Sequence, residues 1–235
     1  MTGPGRIAGL VGGTGPESTV EYYKQIIARW RQRVTDGSYP ALVITSINLE
    51  EMVPLVRAGE LGKLADFLLV ELERLHAAGA NFAALTANTP HLVFDDLRTR
   101  APLPLISIIE VTRDEVVRRG FRRPLLLGTK FTMTGRFYPR VFEGSGVELV
   151  VPDEAGQTYV HEKYISELIP GVFLDATRDG LTALVRKMIA EDGIDAVILG
   201  GTELPLILTG DAVDGVPLVD TTAVHVREIV EELAR

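Results

Sequence analysis

The strongest constraint on this chain is the alternation of short apolar runs with segments of helical spacing. RIAGLVGG (6–13), ALVITSI (41–47), NFAALTA (81–87), LPLISII (103–109), RPLLLGT (123–129), VELVVP (147–152), DAVILGG (195–201) and PLVD (217–220) read as strands. Residues 18–33, 60–79, 90–100, 110–120, 131–143, 158–169, 176–192 and 221–234 read as helices. In 60–79, Leu61, Leu64, Leu68, Leu72 and Leu75 recur at helical spacing, and Gly79 is a stop signal. A strand that is apolar on both faces needs cover on both faces. Helices between successive strands provide it, so the pattern predicts parallel sheets in an α/β protein.

The chain also repeats itself weakly. GANFAALTANT starts at Gly79 and GIDAVILGGTE at Gly193, and Ala87 and Gly201 each come eight residues later. PLISIIEVT from Pro104 parallels PLVDTTAVH from Pro217, and LVGGT ending at Thr14 parallels LLLGT ending at Thr129. Matched segments in one order predict two pseudo-symmetric lobes, each a parallel sheet flanked by helices. The expected boundaries are 1–100 plus 216–235 for the first lobe and 101–215 for the second. Ligands of parallel sheets bind beyond the carboxyl ends of the strands. Facing lobes would therefore gather the turns at 12–19, 86–91, 128–132 and 200–203 around one cleft.

Composition narrows the chemistry. The net charge of −8 argues against a nucleic-acid surface, which needs clustered Lys and Arg. Apolar runs such as LPLISII and AVILGG are too short to span a bilayer, and MTGPGR lacks the features of a signal peptide. A cytoplasmic protein is expected. The cysteine count of 0 removes disulfides, thiolate metal sites and thiol catalysis. The four histidines show neither H-x-x-x-H nor H-x-H spacing, so no metal site is expected. No nicotinamide, flavin or pyridoxal site is evident, so no cofactor is expected.

Each strand-end turn has a structural and a functional reading. GGTGPEST (12–19) lacks the third glycine of a dinucleotide fingerprint and the Gly-Lys-Ser/Thr of a nucleotide-binding P-loop. It reads as a tight turn capped by Ser18 or Thr19, or as a carboxylate site at a helix N-terminus. In ANTPH (87–91), Asn88 and Thr89 can donate to a carboxylate or cap a helix. His91 is a candidate acid or base, though a lone histidine there is more often structural. In GGTE (200–203), Glu203 is a base or a helix-dipole partner. LGTKFTM (127–133) offers Thr129, Lys130 and Thr132. Lys130 or Lys163 could pair with a substrate carboxylate, or simply be solvated. His76 and His225 read as helix-face residues.

With GGTGPESTVEYY, ANTPH, LLGTKFTM, GGTELPLIL and PLVDTTAVH in order, the chain resembles the aspartate/glutamate racemase family, which works without pyridoxal phosphate. The resemblance covers nearly the whole chain. It implies two α/β lobes with the active site between them, a homodimer, and a small carboxylic or amino acid as substrate. It also implies Thr14, Asn88, Thr89, Thr129, Lys130, Thr132 and Thr202 as substrate contacts, with Lys163 beside them. The family's reaction removes and returns a proton at Cα through two groups on opposite faces. Each is typically a cysteine, one just before Asn-Thr and one between Gly and Thr-Glu. Here those positions hold Ala87 and Gly201.

A methyl group and a hydrogen cannot move a Cα proton. Thr86 should point to the other face of its strand and is a poor substitute. Loss of both thiols is expected to enlarge the pocket on both sides. The first reading is an enzyme with altered chemistry, a lyase, isomerase, decarboxylase or cyclase. Glu17, His91, Lys130, Lys163 and Glu203 are its candidate acid–base groups. The alternatives are a pseudoenzyme that only binds its ligand and, ranked last, a racemase that uses other residues.

Overall fold

The computed structural model describes residues 5–235. In chain order the first elements are β1 (Ile7–Gly12), α1 (Pro16–Arg33), β2 (Ala41–Ser46), α2 (Leu49–Arg57), α3 (Leu61–Ala77), β3 (Phe82–Leu85), α4 (Phe94–Arg100) and β4 (Leu105–Ile106). Then come α5 (Ile108–Arg118), β5 (Pro124–Gly128), α6 (Lys130–Thr134), α7 (Phe137–Phe142), α8 (Glu154–Lys163) and α9 (Asp175–Asp192). The last are β6 (Ala196–Gly200), α10 (Leu204–Ile207), β7 (Ala212–Val213), β8 (Val216–Asp220) and α11 (Thr221–Leu233).

Two four-stranded sheets result. The first has the order β2-β1-β3-β4 and is parallel throughout. The second has the order β5-β6-β8-β7, with only the short β7 antiparallel. Every residue of β3, β5 and β6 is buried, β5 even though it ends the order of its sheet. Each sheet has its own core. In the first, Leu10, Phe82 and Ala84 pack with Tyr22 and Ile26 of α1 and with Val226, Ile229 and Val230 of α11. In the second, Leu125, Val197 and Leu199 pack with Val160, Leu181 and Val185. Among the described residues, no helix is long and apolar enough to cross a membrane.

The two compact units divide at Ile108–Ile109 and at Val224–His225. These points differ from the expected lobe boundaries at 100/101 and 215/216. β4 hydrogen-bonds to β3, which keeps residues 101–108 with the first sheet. β8 hydrogen-bonds to β6, which keeps 216–224 with the second. Both crossings follow a strand: after β4 the chain supplies all of α5 but Ile108 to the second unit, and after β8 it supplies most of α11 to the first.

Several local expectations need correction. In LPLISII only Leu105 and Ile106 form a strand, and the buried Ile108 and Ile109 open α5 instead. A short apolar run has no period that separates strand from buried helix. VELVVP forms a single bridge, Val150 to Leu125, rather than a ladder. The helix expected at 131–143 breaks at Gly135, whose backbone is extended. The helix expected at 158–169 begins earlier, because Asp153 caps Gly156 N at 2.8 Å, and it ends in a π-helical turn over Tyr164–Leu168. The unanticipated α2 is set by Asn48. Its Oδ1 accepts from Glu50 N at 3.1 Å, and its Nδ2 donates to Glu51 Oε1 at 2.9 Å. Asn48→Ala should therefore lower stability by about 1 kcal/mol, read as a shift in the urea midpoint.

Candidate active site at the strand ends

In the first unit, the turn after β1 depends on glycine. Gly13 has φ +86°, and a Cβ there would lie 2.6 Å from Ile47 N. Only glycine lets the chain after β2 approach this closely. Gly13 N donates to Thr19 Oγ1 at 2.9 Å, and Ser18 Oγ donates to the Thr86 carbonyl at 3.0 Å. Neither hydroxyl caps α1, contrary to expectation; Gly15 is the N-cap residue and Pro16 follows. Glu17 is exposed in the first turn, where a carboxylate suits the positive end of the helix dipole. The Thr14 hydroxyl oxygen is buried and has no hydrogen-bond partner among the described residues.

At the end of β3, Thr86 Oγ1 donates back to the Val11 carbonyl at 3.0 Å, so it ties the strands together and is turned away from chemistry. Ala87 and Asn88 are buried and Thr89 is half-buried. His91 is 3% exposed and stacks on Phe94. Its Nδ1 lies 3.0 Å from the Ala87 carbonyl, which can only accept, so Nδ1 carries the proton. Its Nε2 then accepts from Ile108 N at 3.3 Å. Burial, and after it the neighbouring His225, lowers the His91 pKa to about 3. Both ring nitrogens are occupied and the ring is neutral. His91 is a buried strut, which removes it as an acid–base candidate.

His225 is also a core group rather than a helix-face residue. Its Nε2 donates to the Ile106 carbonyl at 3.1 Å and its Nδ1 accepts from the Tyr22 hydroxyl at 2.8 Å. Burial lowers its pKa to about 4. The two histidines thus hold opposite neutral tautomers, each set by a carbonyl.

In the second unit, Thr129 caps α6, accepting from Thr132 N at 3.2 Å, and the two hydroxyls lie 3.1 Å apart. Lys130 is exposed, and its backbone N–H donates to His161 Nδ1 at 3.2 Å. Lys163 Nζ lies 2.5 Å from Glu167 Oε1, and Thr177 Oγ1 donates to the other oxygen of that carboxylate. The bond to Glu167 raises the Lys163 pKa. Lys163 is therefore held as an ammonium in an ion pair, which suits a cation and not a base.

At the end of β6, Thr202 and Glu203 meet Tyr164, a residue that the sequence did not mark. Thr202 and Glu203 are 4% and 1% exposed. The Tyr164 hydroxyl donates to Glu203 Oε2, and Thr202 Oγ1 lies 3.0 Å from the same oxygen. Tyr164 is the first residue of the π turn and is 4% exposed. Its ring fills the space beside Gly201. A Cβ on Gly201 would lie 2.6 Å from the Tyr164 hydroxyl oxygen and 2.8 Å from Cζ. The expected enlargement of a pocket at Gly201 is absent, because an aromatic side chain from another element takes the room. Burial, followed by the charge on Glu203, pushes the Tyr164 pKa well up, so it is a neutral phenol donor.

The structure thus joins Thr202 and Glu203 to Tyr164, and Thr129 to Thr132. It leaves Glu17 and Lys130 exposed and commits Lys163 to Glu167. Among the described residues, no group of three or more His, Asp or Glu side chains is placed to hold a metal ion.

A family model described as Asp/Glu/hydantoin racemase matches residues 11–229. RacX of Bacillus subtilis (strain 168), a broad specificity amino-acid racemase, is 23% identical over 221 residues, covering 92% of each chain. The structure of an aspartate racemase homologue from Pyrococcus horikoshii OT3 is 38% identical, with a TM-score of 0.82, over 99% of this chain and 100% of that one. An aspartate racemase from Picrophilus torridus reaches a TM-score of 0.82 at 20% identity, covering 98% of this chain and 95% of that one, a likeness of fold.

Proposed function

Because the chain belongs to the Asp/Glu/hydantoin racemase family, we propose that it binds a small carboxylic or amino acid and moves a proton at the carbon beside the carboxylate without a thiol. The observation that carries this reading is the cysteine count of 0. Ala87 and Gly201 stand where the family resemblance implies the two thiols, so the proton must travel through another group. The reaction class is an isomerase or a lyase.

The family resemblance proposes Asn88, Thr89, Thr129, Thr132 and Thr202 as ligand contacts. All except the half-buried Thr89 are buried polar groups close to strand ends. Hydroxyl and amide groups in such places can replace the water around a carboxylate. Of the acid–base candidates, Glu203 has the strongest support. It is buried at a strand end and already accepts two hydroxyl groups. The family resemblance carries the further proposal of a cytoplasmic homodimer, which sedimentation of the purified protein and cell fractionation would check.

The test is exchange in D₂O. The protein is incubated with L-aspartate, L-glutamate, a set of other L-amino acids and short dicarboxylates, and the carbon beside the carboxylate is followed by NMR. The broad specificity of RacX is the reason for a wide panel. Deuterium should enter at least one acid well above the protein-free rate. Binding without exchange would overturn the proton-transfer reading and make the protein a ligand-binding relative, and the absence of both binding and exchange would overturn the whole proposal.

A further inference from the structure

We propose that Tyr164 is the proton-transferring residue at the end of β6, with Glu203 as the carboxylate that takes up and returns its proton. The inference rests on the thiol-free reading above and deepens it, by naming the group on the Gly201 side. Its basis is a juxtaposition within one unit: a phenol in the side-chain space of a glycine, bonded to a buried carboxylate, at the carboxyl end of a central parallel strand.

Packing alone does not account for this arrangement. Tyr164 and Glu203 are 4% and 1% exposed, and Leu199 and Leu204 beside them are fully apolar. Burying a carboxylate is costly, and an apolar pair of similar volume is often at least as stable. The phenol is delivered by a π-helical turn that begins at Tyr164, where Ile169 N bonds back to the Tyr164 carbonyl at 3.0 Å. Such turns sacrifice regular helix geometry and are frequent at functional sites. Gly201 completes the device. Any side chain there would push the ring out and pull its hydroxyl from Glu203.

The step balances as a relay. The C–H bond beside the substrate carboxylate breaks, and its electron pair stays on the substrate as the enediolate. The proton bonds to the Tyr164 oxygen while the phenol proton passes to Glu203 Oε2. Tyr164 is neutral before and after, and the negative charge moves from Glu203 to the substrate. The reverse relay returns a proton to carbon. The raised Tyr164 pKa favours this over a free tyrosinate.

The test uses Tyr164→Phe and Glu203→Gln separately, each keeping the shape of its residue. The D₂O exchange rate is measured with the acid that the wild type exchanges fastest, and affinity for the same acid is measured by calorimetry. Each variant should lose exchange by about 100-fold or more while affinity stays within about 3-fold. If one variant fails to fold, the other decides. Exchange within about 3-fold of wild type in a folded variant overturns the relay and leaves the proposed function standing. Affinity lost in parallel with exchange makes Tyr164 a binding group and also overturns it. A wild type that exchanges none of the panel overturns the proton-transfer reading itself, and the relay with it.

Discussion

Gly201→Cys is expected to destabilise the protein rather than to restore a thiol. The new Cβ would sit 2.6–2.8 Å from the Tyr164 hydroxyl and Cζ. The ring is rigid, buried in the core of the second unit and bonded to Glu203, so it cannot yield without losing that bond. Overpacking of this kind, with a buried hydrogen bond broken, should cost about 3 kcal/mol in urea unfolding. Tyr164→Ala alone should cost a similar amount, through the cavity it leaves. The diagnostic result is the combination. Gly201→Cys with Tyr164→Ala should lose at least about 1 kcal/mol less than the two single losses added together, because each change makes room for the other. Strict additivity would mean that the ring does not occupy the Gly201 space. The same cycle explains why simple restoration of thiols at Ala87 and Gly201 is a poor test of the ligand site, unless Tyr164 is removed as well.

Acid should unfold the protein earlier than its carboxylates alone would. Burial holds His91 and His225 at folded pKa values of about 3 and about 4, below the ordinary histidine value of 6.5. The unfolded chain therefore takes up protons first. The stability from the two neutral rings is complete above about pH 6.5 and is lost as pH falls from there towards 4 and 3. Two pH units inside that window remove about 2–3 kcal/mol per histidine, so about 5 kcal/mol should disappear between pH 7 and pH 4.5. That is a large share of the typical total of about 5–15 kcal/mol. Carboxylates with lowered pKa, such as Asp153, Glu167 and Asp214, lose their contribution only below their ordinary range, so those three add little to the slope between pH 6.5 and 4.5. Urea midpoints measured every half unit would show the slope. His225→Gln, which can still bridge Tyr22 and the Ile106 carbonyl, should flatten it by about half. A midpoint that does not move between pH 7 and pH 4.5 would sink this account.

Much of the fold was legible because the most apolar runs are extreme. NFAALTA, RPLLLGT and DAVILGG contain the fully buried β3, β5 and β6, and their apolar continuity has one economical solution, a covered parallel sheet. The repeat anticipated that each sheet would have counterparts in the other. Legibility failed where an apolar run was short. Ile108 and Ile109 look like the rest of LPLISII, yet they turn into a helix, because only the neighbouring strand decides where a ladder stops. The lobe boundaries shifted for the same reason. The site divided along a similar line. Its turns were visible as glycines and hydroxyls at strand ends, but the state of each candidate was not. His91 is sealed by a carbonyl on one side and an amide on the other, and Lys163 is spent on Glu167.

The sequence by itself determined that the protein is α/β, that it has no thiol, and that Ala87 and Gly201 carry no group able to move a proton. Those are properties of composition and of local period, which need no partner. Only the tertiary structure decided what stands beside Gly201. Tyr164 is 37 residues away along the chain, in a segment read from the sequence only as a helix, and a π turn brings its hydroxyl to Glu203. A glycine records that room exists, and which side chain fills it depends on packing between elements that no local pattern encodes.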